Sequence, residues 1–576
     1  MKRIFIKTRE ETFKSLHVII IYVVATLGYA SLQGYLNAFL FSNIIDSVNA
    51  RNVRSFLLFL SFYALYLILP NIILTAKNTL FWYIREKINN ATAYDIYNSV
   101  TRSALIFFED EEWLLKLKRI CGLNTFIGDY IYTITAVVAH ICALVSYVAF
   151  IWQYVGNFAF IFIFVAMPSL IKSWFFSEYY TKLKNKMNND QQMEDKYFHI
   201  LTDPVAQSEA KLFQSGKFMF SKWLDKYNGN FKTTLKADRK FLPIHIISSA
   251  MTALLAVIVG LQLFSLLEAG AISIGIMLTL IPFIMNMVGR ADNTAQNFGS
   301  IFLTRLEYRD VMNVINGFKE PEKELLGDTG QASISLQDVS FFYPNSENEI
   351  LNKISFEIKP NEMVAIVGVN GAGKSTLMKI MAGLYKPVSG KVLYNQQDIN
   401  YIEDKNLNEK ISFLFQHPIK YPDTFYENIF VSDDKKDGLP EDIYNALDPI
   451  FADLLSSDKI LVPGFSASRD FSGGQWQKIA FLRSFQKNSN IYFFDEPTAA
   501  LDPLSEIEMF RTFENYVKDS KTVIIATHRL GLARRADKII VLDNKNIVGI
   551  GNHETLLKEC SVYNELYEIQ SKWYKK

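Results

Sequence analysis

Six apolar runs lie before residue 290, and a Gly-rich turn between an apolar strand and a helix follows near the middle of the chain. Together they predict an all-α membrane domain of six helices, followed by an α/β domain that binds a nucleoside triphosphate. The 576 residues suffice for two or three domains. Composition divides them into a Phe-, Ile- and Leu-rich membrane part with long helical loops at 1–316, a polar linker at 317–331 (GFKEPEKELLGDTGQ) and a soluble α/β part at 332–576. Lys+Arg 60 against Asp+Glu 59 leaves a net charge of +1, so nothing draws the chain to nucleic acid in bulk. Cys121, Cys142 and Cys560 are too scattered for a disulfide framework or a metal site.

The apolar runs are Leu16–Phe41, Phe56–Leu80, Ile131–Ile151, Phe158–Phe176, Ile244–Leu267 and Ala271–Val288. Each is close to the roughly 20 residues that span a bilayer. The basic N-terminal tail lacks a small-residue cleavage site, so the first run reads as a retained membrane helix. Basic residues set the orientation. Lys2, Arg3, Lys7, Arg9 and Lys14 precede the first run; Arg85, Lys87, Arg102 and Lys116 follow the second; a denser set from Lys182 to Lys240 follows the fourth. The opposite loops are short. Both termini and both long loops are therefore expected in the cytosol. The long loops have helical composition and few Gly or Pro, so the membrane helices are expected to continue beyond the bilayer and turn back. At the turns, Ile106–Leu114 (IFFEDEEWL) and Thr202–Gln214 (TDPVAQSEAKLFQ) place aromatics among charges. Such a surface suits docking on another domain, or packing within its own loop.

Polar residues are few inside the runs. Asn286, Arg290 and Asn293 fall at i, i+4 and i+7, on one helix face. That face reads as the lining of a substrate cavity or as a hydrogen-bonded seam between helices.

The second half carries the chemistry. Met363–Val367 is an apolar strand, and Gly368, Gly373, Lys374 and Ser375 form G-x-x-x-x-G-K-S at the start of a helix. Glycines let backbone N–H groups face a phosphate, and the helix N-terminus adds positive potential. Lys374 is placed to reach the β/γ-phosphates, and the Ser375 hydroxyl to hold Mg²⁺. Tyr343, about 25 residues earlier, is placed to stack on a purine, or to fill a core. Ile411–Gln416 is a strand ending in Gln416, which orients water or completes a metal shell. Asn490–Pro497 is a strand ending in two acids: Asp495 for Mg²⁺ and Glu496 to activate the attacking water. Thr522–Arg529 is a strand ending at His528, within reach of a γ-phosphate. Ser472, Gly473, Gly474 and Gln475 open a further helix and make a second anion site by the same physics. One γ-phosphate cannot lie on both loops of one domain, so the second loop is assigned to the ATP of another subunit.

With these motifs in order, the chain resembles an ABC exporter half-transporter over essentially its whole length. The resemblance implies an A-loop at Tyr343, a Walker A motif at Gly368–Thr376 including Asn370, Gly371 and Thr376, and a Q-loop at Gln416. It further implies a signature at Ser472–Gln475, a Walker B motif at Ile491–Asp495 followed by Glu496, a D-loop at Ala500, Leu501 and Asp502, and a switch at His528. It also implies coupling helices within Ile106–Leu114 and Thr202–Phe213. Phe471 stands where the family usually has Leu, and Phe465–Asp470 (FSASRD) lacks the Gly- and Glu-rich pattern common in exporters.

The resemblance implies ATP and Mg²⁺ as cofactors and an ATP-driven exporter in the bacterial cytoplasmic membrane. It makes a second half-transporter the partner, a homodimer being favoured because every catalytic position is present in this chain. Ser472–Lys478 (SGGQWQK), with Trp476, is similar to exporters of lantibiotic-like modified peptides. With no cysteine before Cys121 and little chain before the first helix, a fused cysteine-peptidase domain is not expected. Export of drugs or lipids is the alternative. An ATP-gated regulator that moves nothing would be expected to carry degenerate motifs, and here they are intact.

Overall fold

The computed structural model describes residues 6–121, 126–160, 190–280, 332–402, 404–431, 461, 471–498, 501–517 and 520–574, with parts of 161–189 and 281–301. The expected linker at 317–331 and the atypical stretch Phe465–Asp470 lie outside the described residues. The chain forms two compact units. One comprises Met1–Arg102 with Leu115–Gly317, and the other Ser103–Leu114 with Phe318–Lys576.

The first unit is helical. A short helix α1 (Ile6–Lys14) is held by Asp95, which accepts from the Thr8 amide at 2.8 Å and the Thr8 hydroxyl at 2.7 Å. Asp95 is buried, so the bonds that satisfy its charge also fix the position of the basic N-terminal helix. Helix α2 (Leu16–Asn49) and the 49-residue α3 (Val53–Thr101) form a hairpin whose turn puts Arg51 at φ 53° and whose Asn52 caps α3. Helices α4 (Glu111–Cys121), α5 (Phe126–Val155), α6 (Pro204–Leu212) and the 53-residue α7 (Gly216–Glu268) follow. At 1.5 Å per residue α3 and α7 reach roughly 75–80 Å, far more than a bilayer needs.

Three described helices are long and apolar enough to cross a membrane, or four if the bent pair Lys7–Lys14 and Leu16–Tyr29 is one span. The expected runs Phe158–Phe176 and Ala271–Val288 fall largely on residues outside the described set. None of the most apolar window of α3 is buried, and Leu57, Leu58, Phe62, Leu65 and Ile68 face outward. A row of this kind has hydrocarbon as its solvent. The start of the last run is fixed by α2: Asp46 accepts from Ser273 Oγ at 2.7 Å and from the Gly275 amide at 2.9 Å. Two N-terminal helix groups are satisfied there. A Cβ at Gly275 would lie 2.4 Å from the Ser42 carbonyl oxygen, so only glycine fits.

The second unit contains two sheets. Strands β1 (Ile334–Phe342), β2 (Glu349–Ile358), β4 (Ser389–Tyr394) and β5 (Gln397–Asp398) form an antiparallel sheet in the order β2-β1-β4-β5. Strands β3 (Met363–Val367), β6 (Ile411–Leu414), β7 (Ile491–Asp495), β8 (Thr522–Thr527), β9 (Lys538–Asp543) and β10 (Asn546–Gly551) form the second, in the order β10-β9-β3-β8-β7-β6. Its strands are parallel apart from β10. Strands β7 and β8 are buried along their full length, as continuous apolar runs covered on both faces must be. Ser103–Leu114 belongs to this unit: Leu105 and Ile106 pack on the core that includes Leu377, Met381 and Tyr385.

Candidate functional site

Strands β3, β8, β7 and β6 are consecutive neighbours, and each expected catalytic residue follows the C-terminal end of one of them. That edge is where an open parallel sheet binds its ligands. The Gly-rich loop leaves β3 and enters helix α8 (Lys374–Met381) with Gly373 as its N-cap at φ 96°. A Cβ at Gly368 would lie 2.3 Å from the Leu542 carbonyl oxygen, which explains a glycine there. A cavity of about 440 Å³ opens over the loop. Tyr343, Asn370, Gly371, Gly373, Lys374, Ser375, Thr376, Gln416 and Glu496 line it, all expected from the sequence, together with Ile350, which was not.

Lys374 is buried and donates to the Gly368 and Val369 carbonyl oxygens at 2.9 and 3.0 Å. Burial lowers its pKa, and the charges of Glu496 and Asp495 oppose that. Ser375 Oγ donates to Asp495 Oδ1 at 3.0 Å. Burial pushes the Asp495 carboxyl up, the Ser375 bond pulls it down, and the charge of Glu496 adds to the rise. A hydroxyl beside a buried carboxylate is a hard-oxygen pair of the kind that, with phosphate oxygens, holds Mg²⁺. The residues present therefore fit the ion.

Glu496 sits in the left-handed region at φ 48°, a strained backbone for a non-glycine residue. Two backbone contacts and one to its carboxylate hold the residue. Its amide donates to the Ala526 carbonyl at 2.9 Å, Gln477 Nε2 donates to its carbonyl at 3.2 Å, and Gln416 Nε2 donates to its Oε2 at 2.9 Å. His528 Nδ1 lies 3.2 Å from Oε1. The structure thus brings Gln416 and His528 within hydrogen-bond distance of the Glu496 carboxylate. Gln477 was missed; its signal is a buried glutamine among apolar neighbours in helix α9 (Gly473–Ser484).

Ser472 caps α9 in a capping box with Gln475, and Ser472–Gln475 contributes nothing to the cavity lining. The unusual Phe471 has a partner: its ring meets Trp476 edge-on at 6.0 Å and 89°. Tyr343 bonds through its hydroxyl to Thr376 Oγ1 at 2.9 Å, and its ring lies 6.0 Å from that of Tyr385. Burial raises the pKa of the Tyr343 hydroxyl.

Tyr385 leads out of the site. Its hydroxyl donates to Glu109 of the Ser103–Leu114 segment, and Lys379 Nζ lies 3.1 Å from that hydroxyl and 3.9 Å from Glu109. Asn345 Nδ2 donates to Asp110 at 3.2 Å. The turn at Ile106–Leu114 therefore docks on the nucleotide domain. In Thr202–Gln214, α6 is capped by Asp203, and Leu212 and Phe213 are 78% and 68% exposed. In the first unit Arg290 reaches Tyr147 of α5, donating from Nε to the hydroxyl at 3.2 Å. Asn286 and Asn293, on the same helix face, are exposed.

The ABC transporter family profile matches residues 351–499. A solved structure of a bacterial Atm1-family ABC exporter with ATP bound superposes with a TM-score of 0.78, covering 98% of this chain and 99% of that one at 20% identity. The chain carries an ABC transporter cassette on an ABC exporter fold. Relatives of the chain include the subtilin transport ATP-binding protein SpaT of Bacillus subtilis, 33% identical over 65% of this chain and 62% of that protein. The nisin transport ATP-binding protein NisT of Lactococcus lactis subsp. lactis is 31% identical over 64% of this chain and 63% of that protein. The alignments thus span less than two thirds of either relative's length.

Proposed function

We propose that two copies of this chain form an ATP-driven exporter in the bacterial cytoplasmic membrane, with termini and cassettes on the cytosolic side, and that its substrate is a modified peptide. The observation that carries the catalytic half is the convergence of Lys374, Ser375, Asp495, Gln416, Glu496 and His528 at neighbouring strand ends around one cavity. Support for two copies comes from Ser472–Gln475, which stands outside that cavity, and from exposed Leu212 and Phe213, which a partner's cassette would cover. Support for a peptide comes from SpaT and NisT, whose names give subtilin and nisin transport.

Tyr343 stacks on the base, and the loop amides take the phosphates. Lys374 exchanges the Gly368 and Val369 carbonyls for phosphate oxygens. Ser375, Asp495 and Gln416 would hold Mg²⁺, which neutralises phosphate charge. Glu496 accepts a proton from the water whose oxygen attacks the γ-phosphorus; the bond to the β-phosphate oxygen breaks, leaving ADP and phosphate. His528 and Gln416 fix the carboxylate in line.

The test is the purified chain in nanodiscs. It should be a dimer that hydrolyses ATP alone, and Glu496→Gln should keep ATP binding while turnover falls about 100-fold or more. A monomer inactive until a different subunit is added would overturn the homodimer, and near-normal turnover in Glu496→Gln would remove Glu496 as the base. Transport of a lantibiotic-type peptide into inverted vesicles, set against a hydrophobic dye, decides the substrate class.

A further inference from the structure

Strand β8 ends at Thr527, where its ladder with β3 stops, and His528 is the first residue beyond it. From there the main chain is held by side chains. Thr527 Oγ1 accepts from the Arg529 amide at 3.0 Å. The Arg529 guanidinium donates to Glu506, whose other carboxylate oxygen accepts from Thr498 Oγ1 at 3.2 Å. A further grip comes from 42 residues downstream. Gln570 Nε2 donates to the His528 carbonyl, and Gln570 Oε1 accepts from the Leu530 amide at 3.0 Å. One side-chain amide thus bonds on both sides of Arg529, as a residue of a neighbouring strand would. Leu530 is buried and opens the turn Leu530–Ala533, and Arg529 ahead of it supplies no side-chain cap. Its N–H is an orphan helix donor out of water, and Gln570 satisfies it.

The support for this amide is firm. Helix α10 (Ser561–Tyr574) carries Tyr563, Tyr567 and Gln570 at i, i+4 and i+7, on one face. Tyr563 is buried in the core that also holds Leu530 and Ala533, and Leu566 and Tyr567 pack against that core. Gln570 extends the contact by one turn, to the main chain after β8. Its two bonds fix the peptide planes on either side of Arg529, and with them the direction in which the His528 side chain leaves the backbone. That direction sets His528 Nδ1 at 3.2 Å from Glu496 Oε1.

We propose that Gln570 is a positioning residue for ATP hydrolysis: its amide clamps the main chain around His528 and so holds the imidazole against Glu496. The inference rests on the reading of Glu496 as the base and of His528 as a group that fixes its carboxylate. Gln570 is not among the described residues that line the nucleotide cavity, so its effect falls on turnover and not on ATP affinity.

MgATP titrations of the full chain in nanodiscs test the clamp. Gln570→Glu keeps an acceptor for the Leu530 amide but sets an oxygen against the His528 carbonyl in place of the donor. The turn stays capped while the switch is released. This variant should lower kcat on the order of tenfold, within what a misplaced reacting group costs, with KM for ATP within about twofold. Gln570→Met, which loses both bonds, should lower kcat at least as far. In a His528→Ala background neither substitution should change kcat by more than about twofold, whereas a merely structural role would lower it there too. Hydrogen exchange by mass spectrometry reads the clamp without turnover: amides of 529–532 should exchange at least about threefold faster in Gln570→Met than in the unaltered chain. If His528→Ala lowers turnover but Gln570→Glu leaves kcat within about twofold, the inference falls and the reading of His528 stands. Unchanged exchange in Gln570→Met, or losses that simply add in the double variant, would likewise overturn it. Unchanged turnover in His528→Ala would instead refute the role of His528, and with it any catalytic use of the clamp.

Discussion

Tyr385→Phe isolates one hydroxyl at the contact between the Ser103–Leu114 segment and the cassette core. The ring stacks on Phe341 at 5.6 Å and stays buried, so packing is conserved. What is lost is the bond to the Glu109 carboxylate and the Lys379 contact. Burial first, then the Glu109 bond, raises the pKa of this hydroxyl, so it is a donor throughout the physiological range. A hydrogen bond to a charged group contributes about 1.5–3 kcal/mol. The Glu109 side chain is 38% exposed and that of Lys379 24%, so water screens the pair and the lower end applies, about 1.5 kcal/mol. Leu105 and Ile106 remain packed, so the segment should stay docked and open more often. In hydrogen exchange by mass spectrometry on the full chain, amides of 105–114 should exchange on the order of tenfold faster, since about 1.4 kcal/mol is a factor of ten. Glu109→Gln should act similarly, and the double variant should add little. Exchange altered less than twofold, or single effects that simply sum, would refute the argument that this bond holds the segment.

Asp495→Asn should raise the melting temperature of the nucleotide-free chain, because it removes a buried charge with one hydroxyl partner, and should abolish the Mg²⁺-dependent part of nucleotide affinity. The sign follows from the raised pKa: the folded state retains a proton that the unfolded chain releases above its ordinary value of 3.8. The penalty therefore grows as pH rises from there through the folded pKa, and a pH series of melting curves should show Asp495→Asn removing that slope. Ser472→Asp keeps an N-cap for α9 but sets a negative charge at the proposed anion site. Melting should stay near that of the unaltered chain while ATP turnover falls more than about tenfold, and unchanged turnover would deny Ser472 a place at any γ-phosphate. Tyr343→Phe should leave ATP affinity within about threefold, whereas Tyr343→Ala should lose roughly 1–3 kcal/mol of stacking in a binding titration.

The motifs were legible because each is contiguous. A loop, a strand end and a helix N-cap are local constructions, and residues such as Lys374, Asp495 and Ser472 occupy the local setting their neighbours specify. Sheet order then brings the strand ends together, and sheet order is a tertiary property. The contacts that were not legible join distant residues. Tyr385 and Glu109 are 276 apart, and Asp46 and Gly275 are 229 apart. Nothing in either stretch names its partner. Gln477 read as one more helical residue because only the fold places the Glu496 carbonyl above it. Phe471 looked like an isolated departure, yet it and Trp476 fit each other as a pair.

The Asp46 contact has a mechanical consequence. One carboxylate binds both the cap residue Ser273 and the Gly275 amide, and the backbone of α2 closes to within a missing methyl of Gly275. The end of α2 and the beginning of the last apolar run therefore act as a riveted joint. Any working stroke of the membrane unit must carry these two ends as one lever, and its travel has to be taken up further along each helix, where Pro282 follows on one arm and the lone glycine pair Gly28 and Gly34 precedes on the other.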